Sequence, residues 1–343
     1  MSGAGGPGSV MAAEMAEQPE RLAGLIARAG DLQERVRAVA PQALAAVAVI
    51  ARGSSDHAAF YGRYLIEPAA GRPLSFVSPS LFTLYDADIS YRDVLAVAVS
   101  QSGQTPEITE TLVRVQATGA AGVAVTNDPE SDLAAIAHAV LPTEAGPELA
   151  VPATKTVTTQ MTALAILAAA LGPVPFGADD LERLPEAVGA VLDDPGPAEA
   201  VAAELAGASR VVVVARGFLT GAALESALKI KETCGILAEG SSAADLRHGP
   251  IAAVTPDVPV LALDAPGPAH ADMADLIQTL RGRGIRVFTG APGDADLPLP
   301  SALPEALQPV AAVVRAQQLA RALALRLGYD PDRPAHLSKV TRT

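Results

Sequence analysis

Short apolar runs without alternation recur along the chain, each followed by a polar or glycine-bearing turn and then by apolar residues in helical spacing. Such runs fit strands buried on both faces of a parallel sheet, because a sheet open to water on one side alternates. Ala45 to Ala51 predicts the first strand, and Arg52-Gly53-Ser54-Ser55-Asp56 a turn into a helix holding His57, Tyr61 and Leu65. Further strands are expected near Leu74 to Val77, at Val94 to Val99 and at Gly122 to Thr126. Upstream, Gln18 to Val39 reads as one helix with Leu22, Leu25, Ile26, Ala29 and Leu32 on a single face. This order predicts an α/β protein with a parallel, doubly wound sheet, whose ligands bind beyond the carboxyl ends of the strands.

The loop Ser100-Gln101-Ser102-Gly103-Gln104-Thr105 lies at such an end, between the Val94 strand and a helix expected from Pro106 to Gln116. Unpaired N–H groups and the positive end of the helix dipole favour an anion there. Each hydroxyl bond to a charged acceptor adds about 1.5–3 kcal/mol. A helix cap with extra serines fits the same hexapeptide, and the loop alone does not separate the two.

The second half repeats the first. Ala51-Arg52-Gly53 recurs as Ala215-Arg216-Gly217, an offset of 164 residues that also carries Asp93-Val94 onto Asp257-Val258, Gly103 onto Gly267 and Val123 onto Val287. Two copies of one α/β fold are expected. Ser100, Ser102 and Thr105 become Asp264, Pro266 and Ala269, so only the first copy keeps the hydroxyls suited to a phosphate. Expected boundaries are a disordered start over 1–17, a first domain over 18–177, a connector over 178–197 broken by Asp193-Asp194-Pro195-Gly196-Pro197, a second domain over 198–330 and a tail over 331–343. The turn-rich Glu144 to Lys155 reads as a loop closing over something before a helix from Thr156 to Leu171.

Composition narrows the partners. A net charge of −13 without a dense Lys/Arg cluster argues against nucleic acid, while positioned N–H groups still suit a small anion. The one cysteine, Cys234, excludes an internal disulfide and reads as a core residue. Gly, Pro or charge breaks every apolar stretch short of membrane-spanning length, and residues 1–10 lack the pattern of a signal peptide, so a cytoplasmic protein is expected. His138 and His270 have no supporting context, and the scattered histidines predict no metal site.

Six motifs in order resemble the sugar isomerase (SIS) domain family, in the tandem arrangement of the isomerase half of glucosamine-6-phosphate synthase and its stand-alone deaminase relatives. They are Gly53-Ser54-Ser55, the Ser100 loop, Val151-Pro152-Ala153-Thr154-Lys155, the helix Ala223 to Glu232, Leu246-Arg247-His248-Gly249-Pro250, and the tail Leu337-Ser338-Lys339-Val340-Thr341. The resemblance implies two flavodoxin-like SIS domains, with Ser55, Ser100, Gln101, Ser102 and Thr105 on a sugar phosphate and with Ser54, Val151 and Ser338 lining the pocket. It implies Glu232 as the proton-transfer base, Lys229 one turn before it, His248 as the ring-opening group and Lys339 as the sugar-facing lysine on a tail that folds over the site. It further implies a homodimer in which His248 crosses the interface, and no cofactor. His57 matches the family's pattern and reads either as structural or as a support behind the site residues. On the residues alone, Lys229 and Glu232 at i, i+3 fit an exposed helix pair equally well.

The synthase draws nitrogen from glutamine through a domain with an N-terminal cysteine. This sequence shows neither, so glutamine is not the expected nitrogen source. Thr105-Pro106-Glu107 is similar to the deaminase branch. The expected substrate is therefore a hexosamine or hexose 6-phosphate, with glucosamine-6-phosphate deamination to fructose 6-phosphate leading. A dehydratase of N-acetylglucosamine 6-phosphate and a non-catalytic sugar-phosphate-binding regulator are the alternatives.

Overall fold

Strands β1 (Ala46–Ile50), β2 (Leu74–Phe76), β3 (Val94–Ser100), β4 (Ala121–Thr126) and β5 (Ala139–Pro142) form one parallel sheet in the order β2-β1-β3-β4-β5. Strands β6 (Arg210–Ala215), β7 (Leu237–Ser242), β8 (Val260–Leu263), β9 (Val287–Pro292) and β10 (Leu297–Leu299) form a second in the order β10-β9-β8-β6-β7. Read from its other edge, this is the same winding. The computed structural model describes residues 5–339. It divides into two units: one takes the chain up to Pro19, Glu148–Lys155 and Ala178–Lys339, the other Glu20–Pro147 and Thr156–Gly177.

The internal repeat extends to the register. Ala48 faces Ala96 and Ser75, and an offset of 164 predicts Val212 facing Val260 and Glu239, which are the observed pairs. One residue is gained before β9, where Val260 meets Val287 while Ala96 meets Gly122. Both sheets are buried on both faces, which explains the missing alternation: Leu95 to Val99 have at most 1% exposure. Each such Val or Leu contributes about 1.5–3 kcal/mol by leaving water.

Two expectations are corrected. Of residues 1–17, expected to be disordered, Ser9–Ala16 is a helix with Met11 and Met15 buried. Its start is capped from far along the chain, since the Asp332 carboxylate accepts from the N–H groups of Val10 (3.0 Å) and Met11 (2.7 Å). The single helix expected over Gln18 to Val39 is two, Gln18–Ala27 and Ala29–Val39, joined at Arg28. There the Arg28 guanidinium bonds the Pro142 carbonyl (3.1 Å) and Glu144 (2.6 Å), a tertiary attachment that helical periodicity does not reveal. No helix among the described residues is long and apolar enough to cross a membrane.

Candidate active site

The order of the first sheet reverses between β1 and β3, and the loops after these neighbouring strands flank the crevice at that point. After β1, Gly53 takes a positive φ of 58° and opens the helix Ser54–Ala70, leaving Ser54 half-buried and Ser55 buried. After β3, the Ser100 hydroxyl accepts from Gly103 N and the Ser102 hydroxyl from Gln104 N, both at 3.2 Å. Asn127 N donates to the Gln101 carbonyl (3.0 Å) and Leu133 N to the Gly103 carbonyl (3.1 Å), which fix the loop.

Gly103 is required here. Its φ is 62°, and a Cβ on it would stand 2.1 Å from Ser131 Oγ. Thr105 precedes the helix Pro106–Ala117 in extended backbone, yet its side chain makes no capping bond. The loop is therefore not an ordinary side-chain cap: Pro106 has no N–H, and Ile108 N (3.1 Å) and Thr109 N (3.2 Å) donate to the Thr105 carbonyl.

The second sheet has replaced this chemistry. At its own corresponding crevice Asp264 accepts N–H from Ala265 (2.9 Å) and pairs with His270 Nδ1 at 2.7 Å. The Glu305 carboxylate lies against Gly267, 2.0 Å from where a Cβ would be. Burial raises the Asp264 carboxyl against the pull of His270, and burial with the Asp264 charge raises Glu305. Two carboxylates at this crevice oppose an anion.

Helix Thr220–Cys234, after β6, carries Glu225, Lys229 and Glu232 at spacings of four and three, so all three share one face. Lys229 has no solvent exposure, and its ammonium lies 3.2 Å from Glu225 and 2.5 Å from Glu232. An exposed pair is thus excluded. Burial alone would lower the Lys229 pKa; Glu225 and Glu232 together outweigh it and raise the pKa, so the ammonium persists. Glu225 is buried, whereas the Glu232 side chain is 22% exposed.

The other candidates lie on separate elements. His248 follows the helix Ala243–Arg247, exposed, with its N–H on the Asp245 carbonyl (3.0 Å). Arg247 fastens that turn through Asp272 (2.8 Å) and Asp275 (3.0 Å). The Lys339 ammonium donates to Glu148 Oε2 and to the Ala150 carbonyl, both at 2.7 Å. Val151 N donates to the Asp332 carbonyl (3.1 Å), and Ser338 is exposed beside Lys339. Val340 and Thr341 lie outside the described residues. Among the described residues Glu232, His248 and Lys339 make no direct bond to one another. Cys234 is a core residue, its Sγ directed at the Ala320 carbonyl (3.4 Å). His138 accepts from Gly122 N at 2.9 Å, a structural use.

Sequence reasoning missed Glu225, Glu148 and Glu14. Glu225 was within reach, four residues before Lys229 on the same helix face. Glu148 and Glu14 have no local signal, because their partners are remote in sequence.

Comparison with known proteins agrees with this architecture. The SIS domain family matches residues 45–170 and 204–290. A glutamine--fructose-6-phosphate aminotransferase [isomerizing] of Methanothermobacter thermautotrophicus is 35% identical over 302 residues, covering 85% of this chain and 51% of that protein. The chain thus spans about half the length of the curated relatives it matches. A candidate phosphosugar isomerase of Silicibacter pomeroyi DSS-3 is 32% identical, with a TM-score of 0.80 over 94% of this chain and 99% of that one. A glucosamine-6-phosphate deaminase of Thermotoga maritima shares the fold at 22% identity, with a TM-score of 0.80 over 98% of this chain and all of that one. The repeated sheet and the matches in both halves lead to one conclusion: this chain belongs to the SIS domain family and carries two SIS α/β domains, in company with sugar-phosphate isomerases and aminotransferases.

Proposed function

We propose that this chain is an amino-sugar-phosphate enzyme that works by C1/C2 enolisation, and that it converts glucosamine 6-phosphate and water to fructose 6-phosphate and ammonia. The observation that carries this reading is the partly open Glu232 carboxylate held by the buried Lys229 ammonium at 2.5 Å. A base for a carbon acid must be fixed and reachable, and this pair offers a carboxylate that is held in place and partly exposed. The Ser100 loop, with Ser54 and Ser55, holds the phosphate end of the sugar.

The steps follow from these roles. His248 moves the O1 proton to the ring oxygen, which opens the pyranose to the aldehyde. Glu232 takes the C2 proton to give the enolamine and returns it to C1, leaving a ketose imine at C2. Water adds at C2 and ammonia departs. Lys339 brings positive charge to O1 as the enol forms. The exposed turn of His248 suits a histidine that serves the site of a second copy, so the working form is a homodimer, and the compartment is the cytoplasm.

The experiment is to incubate the protein with glucosamine 6-phosphate and, separately, with its N-acetyl form, with and without glutamine. Ammonia and fructose 6-phosphate from the first sugar without glutamine support the reading. An ultraviolet-absorbing unsaturated sugar from the second assigns a dehydratase instead, and product only with glutamine assigns amide transfer. No turnover of either, with binding retained, assigns a sugar-phosphate sensor.

A further inference from the structure

The residues before Pro19 are bonded side chain by side chain to the segment Glu148–Lys155. Glu14 is 4% exposed, and its carboxylate accepts the N–H groups of both Leu149 and Ala150, the latter at 3.2 Å to Oε2. Three residues on, Glu17 pairs with the buried Lys155 at 2.8 Å. Gln18 donates to Gln317 (3.0 Å), and Gln317 donates to the Thr154 carbonyl (3.1 Å). The other end of the helix is held by Asp332, whose own carbonyl accepts from Val151 N.

The Ala150 peptide group is thereby held from both sides. Glu14 takes its neighbouring N–H, and its carbonyl takes the Lys339 ammonium at 2.7 Å. Glu148, with no side-chain exposure, completes the seat of that ammonium and is itself fixed by Thr154 N at 2.9 Å. The Glu14 carboxylate satisfies two adjacent backbone N–H groups for which an apolar side chain would offer no acceptor. In doing so it fixes which way the 149–150 backbone points.

We propose that the N-terminal helix Ser9–Ala16 is a working part of the sugar site, with Glu14 as a positioning residue that sets the 148–151 loop and, through the Ala150 carbonyl, the resting place of Lys339. The inference rests on the reading of Lys339 as the sugar-facing lysine. Glu148 and Lys339 are the charged groups that act on Glu14, the first raising and the second lowering its carboxyl, while burial is the largest cause of its raised pKa.

The test uses the full chain with Glu14→Ala and Glu14→Gln, and reads acetylation of Lys339 by mass spectrometry against the exposed Lys231 in the same sample. Glu14→Ala should raise Lys339 labelling relative to Lys231 by about tenfold, the worth of one hydrogen bond to a charged acceptor. Glu14→Gln, which keeps an acceptor of the same shape, should give a smaller rise. Should Glu14→Ala fail to fold, Glu14→Gln alone decides by the same ratio. An unchanged ratio in the folded variant overturns the proposal. Kinetics separate it from the functional reading: a raised KM for glucosamine 6-phosphate accompanies the labelling change if both hold. A labelling change in a protein without turnover leaves the positioning role standing and removes the reaction. Normal turnover with normal labelling removes the positioning role alone.

Discussion

Lys229 donates to Glu232 across 2.5 Å from a position with no solvent exposure, and the same ammonium lies 3.2 Å from the buried Glu225. Lys229→Met should therefore cost more than one ion pair, because one substitution takes the ammonium from two carboxylates at once. A loss of about 3–5 kcal/mol of unfolding free energy in urea is expected. Glu225→Gln, which leaves Lys229 paired with Glu232, should cost less. Equal costs for the two variants would contradict the larger share assigned to Lys229.

The same cluster fixes a pH dependence. A lysine whose folded pKa is raised above its ordinary 10.5 stabilises the fold fully below that value and loses the contribution as pH rises through the folded pKa. The stability gap between the wild type and Lys229→Met should be flat from neutrality to about pH 10 and should narrow above it. Thermal unfolding from pH 7 to 11 reads this directly, and a gap that widens with pH contradicts the assignment.

Glu232→Gln keeps shape and removes the base. Turnover should fall by about 10²–10⁴, the usual worth of a positioned general base, while affinity for the sugar phosphate changes little. Because the 22% exposed Glu232 is the open end of the cluster, its loss should also destabilise far less than that of Lys229. Calorimetric titration of the variant with glucosamine 6-phosphate checks the binding half of the claim.

Cys234 gives a probe of the same helix. Burial pushes its thiol up to about 11, against a smaller opposite pull from Thr233, so roughly one thiol in a thousand is ionised at pH 8. The native protein should react with an aromatic disulfide reagent only as fast as it opens, and fully in denaturant. Rapid native labelling would mean that the helix end at Gly235 opens locally.

Much of the fold was legible because its signal is local. Val94 to Val99 is long and wholly apolar, and the offset of 164 residues reappears in the pairing of Val212 with Val260 and Glu239. Length alone did not decide this: the three-residue β2 was legible near Leu74 to Val77, whereas β10, with Pro298 at its centre, and the four-residue β5 were not. The site divides the same way. Lys229 and Glu232 are one helical turn apart, so spacing paired them, whereas burial decided that the pair is not a surface one. Glu14 meets Leu149 across 135 positions, and Asp332 meets Val10 across 322. No period or motif connects residues at such separations, which is why a helix tied down at both ends read as a disordered start.

The two crevices allow the phosphate assignment to be tested within one molecule. Gly103→Ala forces a side chain into the left-handed region at a cost of about 1–2 kcal/mol. It also drives a methyl group to 2.1 Å from Ser131 Oγ, the cap of the helix Asp132–Ile136. Ser131 cannot retreat without releasing Ala134 N (3.3 Å) and the Asp128 carbonyl (2.7 Å), so the 100–105 loop must move instead. In the second unit Gly267→Ala presses only on the end of the Glu305 side chain, which can turn away at little cost. Gly103→Ala should raise KM for the sugar phosphate at least tenfold and weaken inhibition by inorganic phosphate in parallel, because N–H groups aimed at an anion lose their aim with a small shift. Gly267→Ala should leave both constants within twofold of the wild type. The reverse pattern would place the phosphate in the second unit, against the two carboxylates of Asp264 and Glu305, and would overturn the site assignment.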